Sequence, residues 1–91
     1  MPGYAYILRC CDGRHYAGST NDLIRRLAEH RAGQVRSTKP RLPVELVYFE
    51  ECQTPEQARQ RERTSKNGRM RRKTIDLLVG TFPPEQLAPF A

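Results

Sequence analysis

The stretch YAYILRCCDGRHYAGSTNDLIRRLAEH, residues 4–30, decides the fold because it carries three successive structural elements. The alternating pattern of Tyr4–Cys10 predicts a β-strand. Asp12-Gly13 predicts a hairpin turn, since glycine adopts a positive φ without a Cβ clash. His15–Gly18 is then a short second strand. The run Ser19-Thr20-Asn21 supplies N-cap candidates for a helix that ends at Gly33.

The rest of the chain adds one strand and two helices. Val44–Glu51 predicts a strand with Val47 and Phe49 on one face and Leu46 and Tyr48 on the other. A capping box at residues 54–57 begins a helix that runs to about Lys66, where Asn67-Gly68 ends it. A third helix covers about residues 69–79.

The element order β-β-α-β-α-α predicts an α+β fold, with a small three-stranded antiparallel sheet flanked by helices. A chain of 91 residues fits a single domain, here residues 1–91, with an irregular, proline-rich tail from about residue 80. No signal peptide or membrane span is expected. Three cysteines without a C-x-x-C spacing favour free thiols in a reducing cytoplasm over a disulfide framework or a zinc site.

The net charge of +6 indicates a polyanionic partner. Residues 59–73 carry eight Arg or Lys and a single acid, Glu62. The alternative is a solvated basic helix face, and the charge alone does not choose between the two. Binding to a membrane surface is less attractive, because this segment lacks large apolar residues opposite its charges.

The first helix combines an apolar sector with two chemically versatile side chains. Spacing at 100° per residue groups Leu23, Ile24, Leu27 and Ala28 toward the core. Arg26 and His30 are four residues apart, so they share a stripe at the edge of that sector. Arginine suits phosphate oxygens and histidine titrates near neutral pH. In the alternative, Arg26 pairs with Asp22 and His30 is a solvated boundary residue.

The ordered set YAY (residues 4–6), YAG (16–18) and STNDLIRRLAEH (19–30), continuing through Ala58 and Glu62, resembles the GIY-YIG nuclease superfamily. It is most similar to the small standalone bacterial members. Ala5 and Ala17 stand where the name motifs have isoleucine, and both positions need only small-to-medium apolar packing. Thr64, Ser65 and Gly68 are more polar or smaller than residues often found there.

The resemblance implies a role for each matched position. Tyr6 and Tyr16 are the motif tyrosines, Arg26 is the catalytic arginine, and His30 is a nearby proton-handling residue. Gly18 is the motif glycine that allows close backbone packing, and Glu62 is the ligand of one divalent ion, Mg²⁺ or Mn²⁺. The implied activity is hydrolysis of DNA phosphodiester bonds, with DNA repair or recombination as the setting. The DNA-binding candidates are basic: Arg25, Lys39, Arg59, Lys66, Arg69 and Arg72.

A single Mg²⁺ needs few protein ligands because it keeps most of its waters, so one glutamate suffices. Tyr6 is the favoured group to take the proton from water, with Tyr16 and His30 in its hydrogen-bond relay; the sequence does not fix the order. Two other functions stay open: a basic nucleic-acid-binding module with little or no cleavage, and a protein-interaction subunit. The preferred DNA, branched, nicked or linear, and the oligomeric state are not specified by the sequence.

A shared site requires both motif tyrosines on one sheet face. A two-residue turn at Asp12-Gly13 would place Tyr16 on the face opposite Tyr6, because side chains alternate along a strand. We therefore predict a three-residue loop, residues 12–14, pairing Cys10 with Tyr16, or a bulge with the same effect. Both hydroxyls would then converge with Arg26, His30 and Glu62 on one cleft.

Overall fold

Three antiparallel strands form the centre of the molecule, which we describe from a computed structural model for residues 1–66 and 71–90. The strands are β1 (Gly3–Arg9), β2 (His15–Thr20) and β3 (Glu45–Cys52), in the order β2-β1-β3. The helices are α1 (Leu23–Arg31), α2 (Pro55–Lys66) and α3 (Arg71–Thr81). The predicted α+β architecture and its element order are confirmed.

The β1–β2 hairpin turns through three residues, Cys11 to Gly13. The Cys10 N–H donates to the Arg14 carbonyl at 2.8 Å, and Gly13 adopts a φ of 81°. The predicted pairing of Cys10 with Tyr16 was wrong, since Tyr16 lies opposite Leu8. The register differs by two residues, which leaves each side chain on the same face. Tyr6 and Tyr16 therefore share a face, as predicted.

A β-bulge in β3 changes which of its side chains share a face. Ile7 pairs with Tyr48 and Leu8 with Leu46, so Val47 is an extra residue in the ladder. Val47 and Tyr48 consequently pack together on one face, and Leu46 packs on the other. The predicted grouping by strict alternation, Val47 with Phe49 and Leu46 with Tyr48, was wrong for this reason.

Helices cover both faces of the sheet. The face of Tyr6 and Leu8 packs against Leu23 and Leu27 of α1. The face of Ile7 and Ala17 packs against α3 through Ile75. Helix α2 lies on this second face, where Ala58 is fully buried and adjoins Gly3. Ala5 and Ala17 are also buried there, so small side chains fit both positions.

Helix α1 is rotated relative to the predicted apolar sector. Leu23, Leu27 and His30 are its buried residues, whereas Ile24 is 73% exposed and Ala28 is exposed. The stripe that includes His30 faces the sheet, where the imidazole is hydrogen-bonded to Tyr6 of β1, and its other nitrogen is hydrogen-bonded to Thr38 of the loop after α1. The predicted position of Ile24 and Ala28 in the core was therefore wrong.

The ends of α1 and α2 follow from local hydrogen bonds. Asp22 is the N-cap of α1, and its carboxylate accepts from the Arg25 N–H at 3.1 Å. The three residues before it, predicted as N-cap candidates, do not hold this position. The Gln57 N–H donates to Thr54 Oγ1 at 3.2 Å, which caps α2 as predicted. The predicted end of α2 at Asn67-Gly68 lies outside the described residues.

The chain after α3 packs back onto the sheet through aromatic rings. Two short 3₁₀ helices, Pro84–Gln86 and Ala88–Phe90, follow α3. Phe90 and Phe82 each contact Phe49 edge-on, with ring centroids 5.2 Å apart. In the described part of the chain, no helix has the length and apolar character needed to cross a membrane.

Gly18 leaves the space that the Tyr6 ring occupies. The two residues are paired across β1 and β2, and a Cβ on Gly18 would lie 2.5 Å from both Cζ and Oη of Tyr6. Only glycine therefore fits beneath the phenol. This contact gives a specific reason for the close packing that the sequence motif implies at position 18.

We predict that Gly18→Ala lowers the free energy of unfolding by about 1–3 kcal/mol, because the new methyl group forces the buried Tyr6 ring out of place. Chemical denaturation measures this change. Gly80→Ala is the matched control: nothing lies within 4 Å of its added Cβ. That helical position should be unaffected or slightly stabilised. Equal stability of the two variants would contradict the account of Gly18.

Candidate active site

A buried chain of three side chains joins β1, α1 and the loop that follows α1. His30 is 0% exposed, and its Nε2 lies 2.9 Å from Tyr6 Oη. On the other side of the ring, His30 Nδ1 lies 2.8 Å from Oγ1 of Thr38, which is also 0% exposed. Both ring nitrogens are thus hydrogen-bonded, and the imidazole has a fixed orientation. The alternative of a solvated His30 is contradicted.

Arg26 brings a positive charge to the exposed end of this chain. Its guanidinium lies close enough to Tyr6 to lower the pKa of that phenol, and its Nη1 donates to Glu29 Oε1 at 3.2 Å. It does not pair with Asp22, whose carboxylate caps α1. Because Tyr6 is only 2% exposed, Arg26 is the part of this group that solvent and a ligand can reach.

Burial sets the protonation states of the two central residues. It raises the pKa of Tyr6 to about 12, an effect that Arg26 opposes. Burial also lowers the pKa of His30 to about 4, and the neighbouring Arg26 charge acts in the same direction. At neutral pH both side chains are therefore uncharged, and Arg26 carries the positive charge of the group.

The second motif tyrosine packs beside the first. The Tyr16 ring meets the edge of His30, with ring centroids 5.4 Å apart, and Tyr6 meets the same imidazole at 5.7 Å. Tyr16 is half-buried, and its proximity contributes to raising the pKa of Tyr6. Both tyrosines therefore adjoin one histidine on the same sheet face.

Glu62 approaches from the other side of the sheet. It is half-buried on α2, and its negative charge contributes to raising the pKa of Tyr6. Among residues 1–66 and 71–90, no three His, Cys, Asp or Glu side chains form a group that could hold a metal ion. A divalent ion bound here would thus have one glutamate ligand and otherwise water or substrate oxygens, an arrangement that suits Mg²⁺.

Arg26 lines a cleft of 590 Å³, which we call the β2 cleft, whereas Tyr6 and Glu62 line a separate cavity of 130 Å³. The end of β2, Asn21, α1 and the first turns of α2 line the β2 cleft. Its positive charges are Arg25, Arg26 and Arg59, and its negative charges are Glu29 and Glu56. Each glutamate pairs with an arginine three residues away, so the arginines are held at the cleft wall. The lining is completed by Ser19, Thr20, Asn21 and Pro55.

The predicted DNA-binding residues do not form one surface. Arg25 and Arg59 line the β2 cleft, whereas exposed Lys39 starts a short 3₁₀ helix after α1. Arg72 lines a different cleft beside the hairpin, next to Arg14 and Asp76. Lys66 is the last residue of α2, and its side chain is outside the described part of the structure, as is all of Arg69.

Two site residues escaped sequence reasoning. Thr38 lies in the loop between α1 and β3, and no spacing rule connects it to His30. Glu29, which is not among the site residues predicted from the sequence, is half-buried against Arg26. Its (i, i+3) spacing from Arg26 is a signal that could have identified the pair.

Comparison with known proteins gives these residues a family context. Residues 2–75 match the model of the GIY-YIG catalytic domain. The chain belongs to the GIY-YIG family. The match includes both tyrosines, Arg26, His30 and Glu62, and it confirms the resemblance inferred from the sequence.

The similar GIY-YIG proteins come from bacteria. A UPF0213 protein of Bacillus pumilus is 42% identical over 73 residues, which cover 79% of this chain and 74% of that protein. A UPF0213 protein of Listeria monocytogenes is 43% identical over 60 residues, 65% of this chain and 67% of that protein. The solution NMR structure of the UPF0213 protein BH0048 from Bacillus halodurans has a TM-score of 0.57 and 33% identity, covering 97% of this chain and 94% of that one.

We predict that the buried, uncharged His30 makes the fold sensitive to acid. Its pKa lies below its ordinary 6.5, so between pH 6.5 and 4 the unfolded chain binds a proton that the folded chain does not. The contribution of His30 to the free energy of unfolding is therefore fully present above pH 6.5, and it is lost as the pH is lowered toward 4. His30 alone should lower the free energy of unfolding by about 2 kcal/mol between pH 7 and pH 5.

Denaturation at the two pH values measures this loss in the wild type, His30→Gln and His15→Gln. The loss should shrink by about 2 kcal/mol in His30→Gln. It should change less in His15→Gln, because His15 is only half-buried whereas His30 is fully buried. An unchanged pH dependence in His30→Gln would show that His30 is not held neutral by the fold.

Proposed function

We propose that this protein is a divalent-metal-dependent endonuclease that hydrolyses DNA phosphodiester bonds, acting in DNA repair or recombination. The observation that carries the proposal is the cluster of Tyr6, Arg26 and His30, of which Arg26 lines the β2 cleft. Membership of the GIY-YIG family supports a nuclease-type activity. The free thiols of all three cysteines support a reducing compartment such as the cytoplasm.

In this proposal Arg26 holds the phosphate to be cleaved. A guanidinium offers several N–H donors in one plane, which suits phosphate oxygens. Arg26 already lines the cleft, and a bound phosphate would compete with Glu29 for it. Arg25 and Arg59 line the same cleft, and they would attract the neighbouring phosphates regardless of base sequence.

Tyr6 is the proposed base that takes a proton from the attacking water. Its oxygen is hydrogen-bonded to His30, and the nearby Arg26 charge favours the phenolate over a phenol buried alone. Movement of Arg26 toward a phosphate would uncover the hydroxyl, which is otherwise closed to water. Tyr16 packs against His30 and keeps the imidazole in place.

Glu62 is the proposed ligand of one Mg²⁺ or Mn²⁺ ion, which when bound would neutralise phosphate charge and lower the pKa of a bound water. A carboxylate is a ligand that Mg²⁺ prefers, and Glu62 is half-buried near Tyr6, where a metal ion would act on the same phosphate. Thr64, two residues after Glu62 on α2, is exposed and its hydroxyl donates to the Gln60 carbonyl. Its polarity is therefore accommodated without disturbing the buried side of α2.

A second candidate is a nucleic-acid-binding module with the same fold and little or no cleavage. The observation that favours it is the 2% exposure of Tyr6, whose hydroxyl is covered in the described structure. If Arg26 does not move on binding DNA, the proposed base never meets a water. The two candidates share the basic cleft and differ only in the chemistry that follows binding.

We predict that the purified protein cleaves DNA with Mg²⁺ or Mn²⁺, and that Glu62→Gln and Arg26→Ala abolish this cleavage. The assay uses supercoiled plasmid and linear, nicked and branched duplexes. Glu62→Gln should bind DNA as tightly as the wild type or tighter, since a negative charge is removed. Glu85→Gln, an equal charge change on the exposed tail, should bind similarly and cleave normally.

Unchanged cleavage by Glu62→Gln would remove this residue from the mechanism. Salt-sensitive DNA binding by the wild type, with no cleavage of any substrate, would select the binding module instead.

A further inference from the structure

Thr38 is a fully buried polar residue that the proposed mechanism has not used. It is held by the main chain, because its N–H donates to the Val35 carbonyl at 3.1 Å and its carbonyl accepts from the Arg41 N–H at 2.9 Å. Its hydroxyl oxygen lies 2.8 Å from His30 Nδ1. Within residues 1–66 and 71–90, this is the sole hydrogen bond found for that hydroxyl.

Counting protons decides the direction of this hydrogen bond. A threonine hydroxyl has one proton, and leaving a buried donor without an acceptor is costly. If His30 carried its proton on Nδ1 and donated it to Thr38, the hydroxyl proton would have no acceptor. If Thr38 donates to Nδ1, the ring proton resides on Nε2 and Tyr6 accepts it. The proton left over is then that of Tyr6, which is 2% exposed and adjoins the solvent-accessible Arg26, whereas Thr38 is 0% exposed and offers its proton no other acceptor.

We propose that Thr38 is a positioning residue that fixes His30 as an Nε2–H donor to the Tyr6 oxygen. The role of this arrangement in catalysis rests on the proposed nuclease function, whereas the arrangement itself does not. This hydrogen bond determines which group donates and which accepts between His30 and Tyr6, which the sequence alone leaves open. His30 cannot take the Tyr6 proton, since the nitrogen facing Tyr6 already carries one.

Tyr6 then works as a phenolate stabilised by the N–H of His30 and by the nearby positive charge of Arg26. The phenol first releases its proton to solvent. The phenolate next takes a proton from water as the water oxygen bonds to phosphorus. The bond from phosphorus to the 3′ oxygen breaks, and that oxygen takes a proton from solvent. His30 gains and loses no proton in these steps.

Other groups around Tyr6 also act on its ionisation. From α1, Arg26 lowers the pKa of Tyr6; from β2 and α2, Tyr16 and Glu62 raise it. Glu29, which is paired with Arg26, weakens the effect of that arginine. A change at Thr38 leaves all four of these groups in place, so its effect on the pH dependence isolates the contribution of His30.

The first test is the tautomer of His30, read from two-bond proton–nitrogen correlations of the ¹⁵N-labelled protein at pH 7. His30→Gln identifies the His30 signals, since the chain has two histidines. We expect protonated Nε2 in the wild type and in Thr38→Ser, which keeps the hydroxyl. Protonated Nδ1 in the wild type would overturn the proposal. This readout needs no DNA, so it is independent of whether the protein is a nuclease.

The second test is the pH dependence of cleavage in Thr38→Val and Thr38→Ser. Loss of the hydroxyl frees His30 to change tautomer, so Thr38→Val should cleave about tenfold more slowly at neutral pH. Its rising limb should also move to higher pH, while Thr38→Ser retains the wild-type profile. A rate lowered equally at every pH, or no rescue by serine, would show a merely structural role. If Thr38→Val does not fold, the His30 tautomer in the wild type and in Thr38→Ser still tests whether Thr38 positions His30.

Discussion

The hydrogen bonds of one buried imidazole are the constraint on which the rest of this structure depends. His30 has no contact with solvent, yet both of its nitrogens are satisfied, by Tyr6 on one side and Thr38 on the other. Leaving a buried polar group unpaired lowers the free energy of unfolding by more than one hydrogen bond adds to it, so the three residues hold each other in place. Strand β1, helix α1 and the loop after α1 are thereby fixed relative to one another.

Several features elsewhere in the fold accommodate this buried group. The absence of a side chain at Gly18 leaves room for the Tyr6 ring over β2. The three-residue hairpin loop keeps Tyr16 on the same face, where its ring adjoins His30. The rotation of α1 exposes Ile24 so that His30 and Leu27 can face the sheet. The burial that fixes the geometry also keeps both titratable groups uncharged at neutral pH.

The sequence was sufficient to predict the element order, the sheet and the shared face of the two tyrosines. These depend on local rules, such as alternation along strands, the positive φ of Gly13 and the cap at Thr54. It was insufficient for the β3 bulge and the rotation of α1, because both are decided by contacts between distant segments. Thr38 could not be found for the same reason, since its role exists only where a loop returns to α1.

The central claim is that the Tyr6 oxygen is the base in a phosphodiester cleavage, and Tyr6→Phe tests it most directly. Phenylalanine keeps the ring over Gly18 and removes one oxygen atom. Tyr4→Phe is the matched control, because Tyr4 shares the sheet face but its hydroxyl bonds Glu51 at the exposed end of the strand. We predict that metal-dependent cleavage falls about a hundredfold or more in Tyr6→Phe and stays normal in Tyr4→Phe, with DNA binding equal in both. Cleavage by Tyr6→Phe at the wild-type rate would contradict the account.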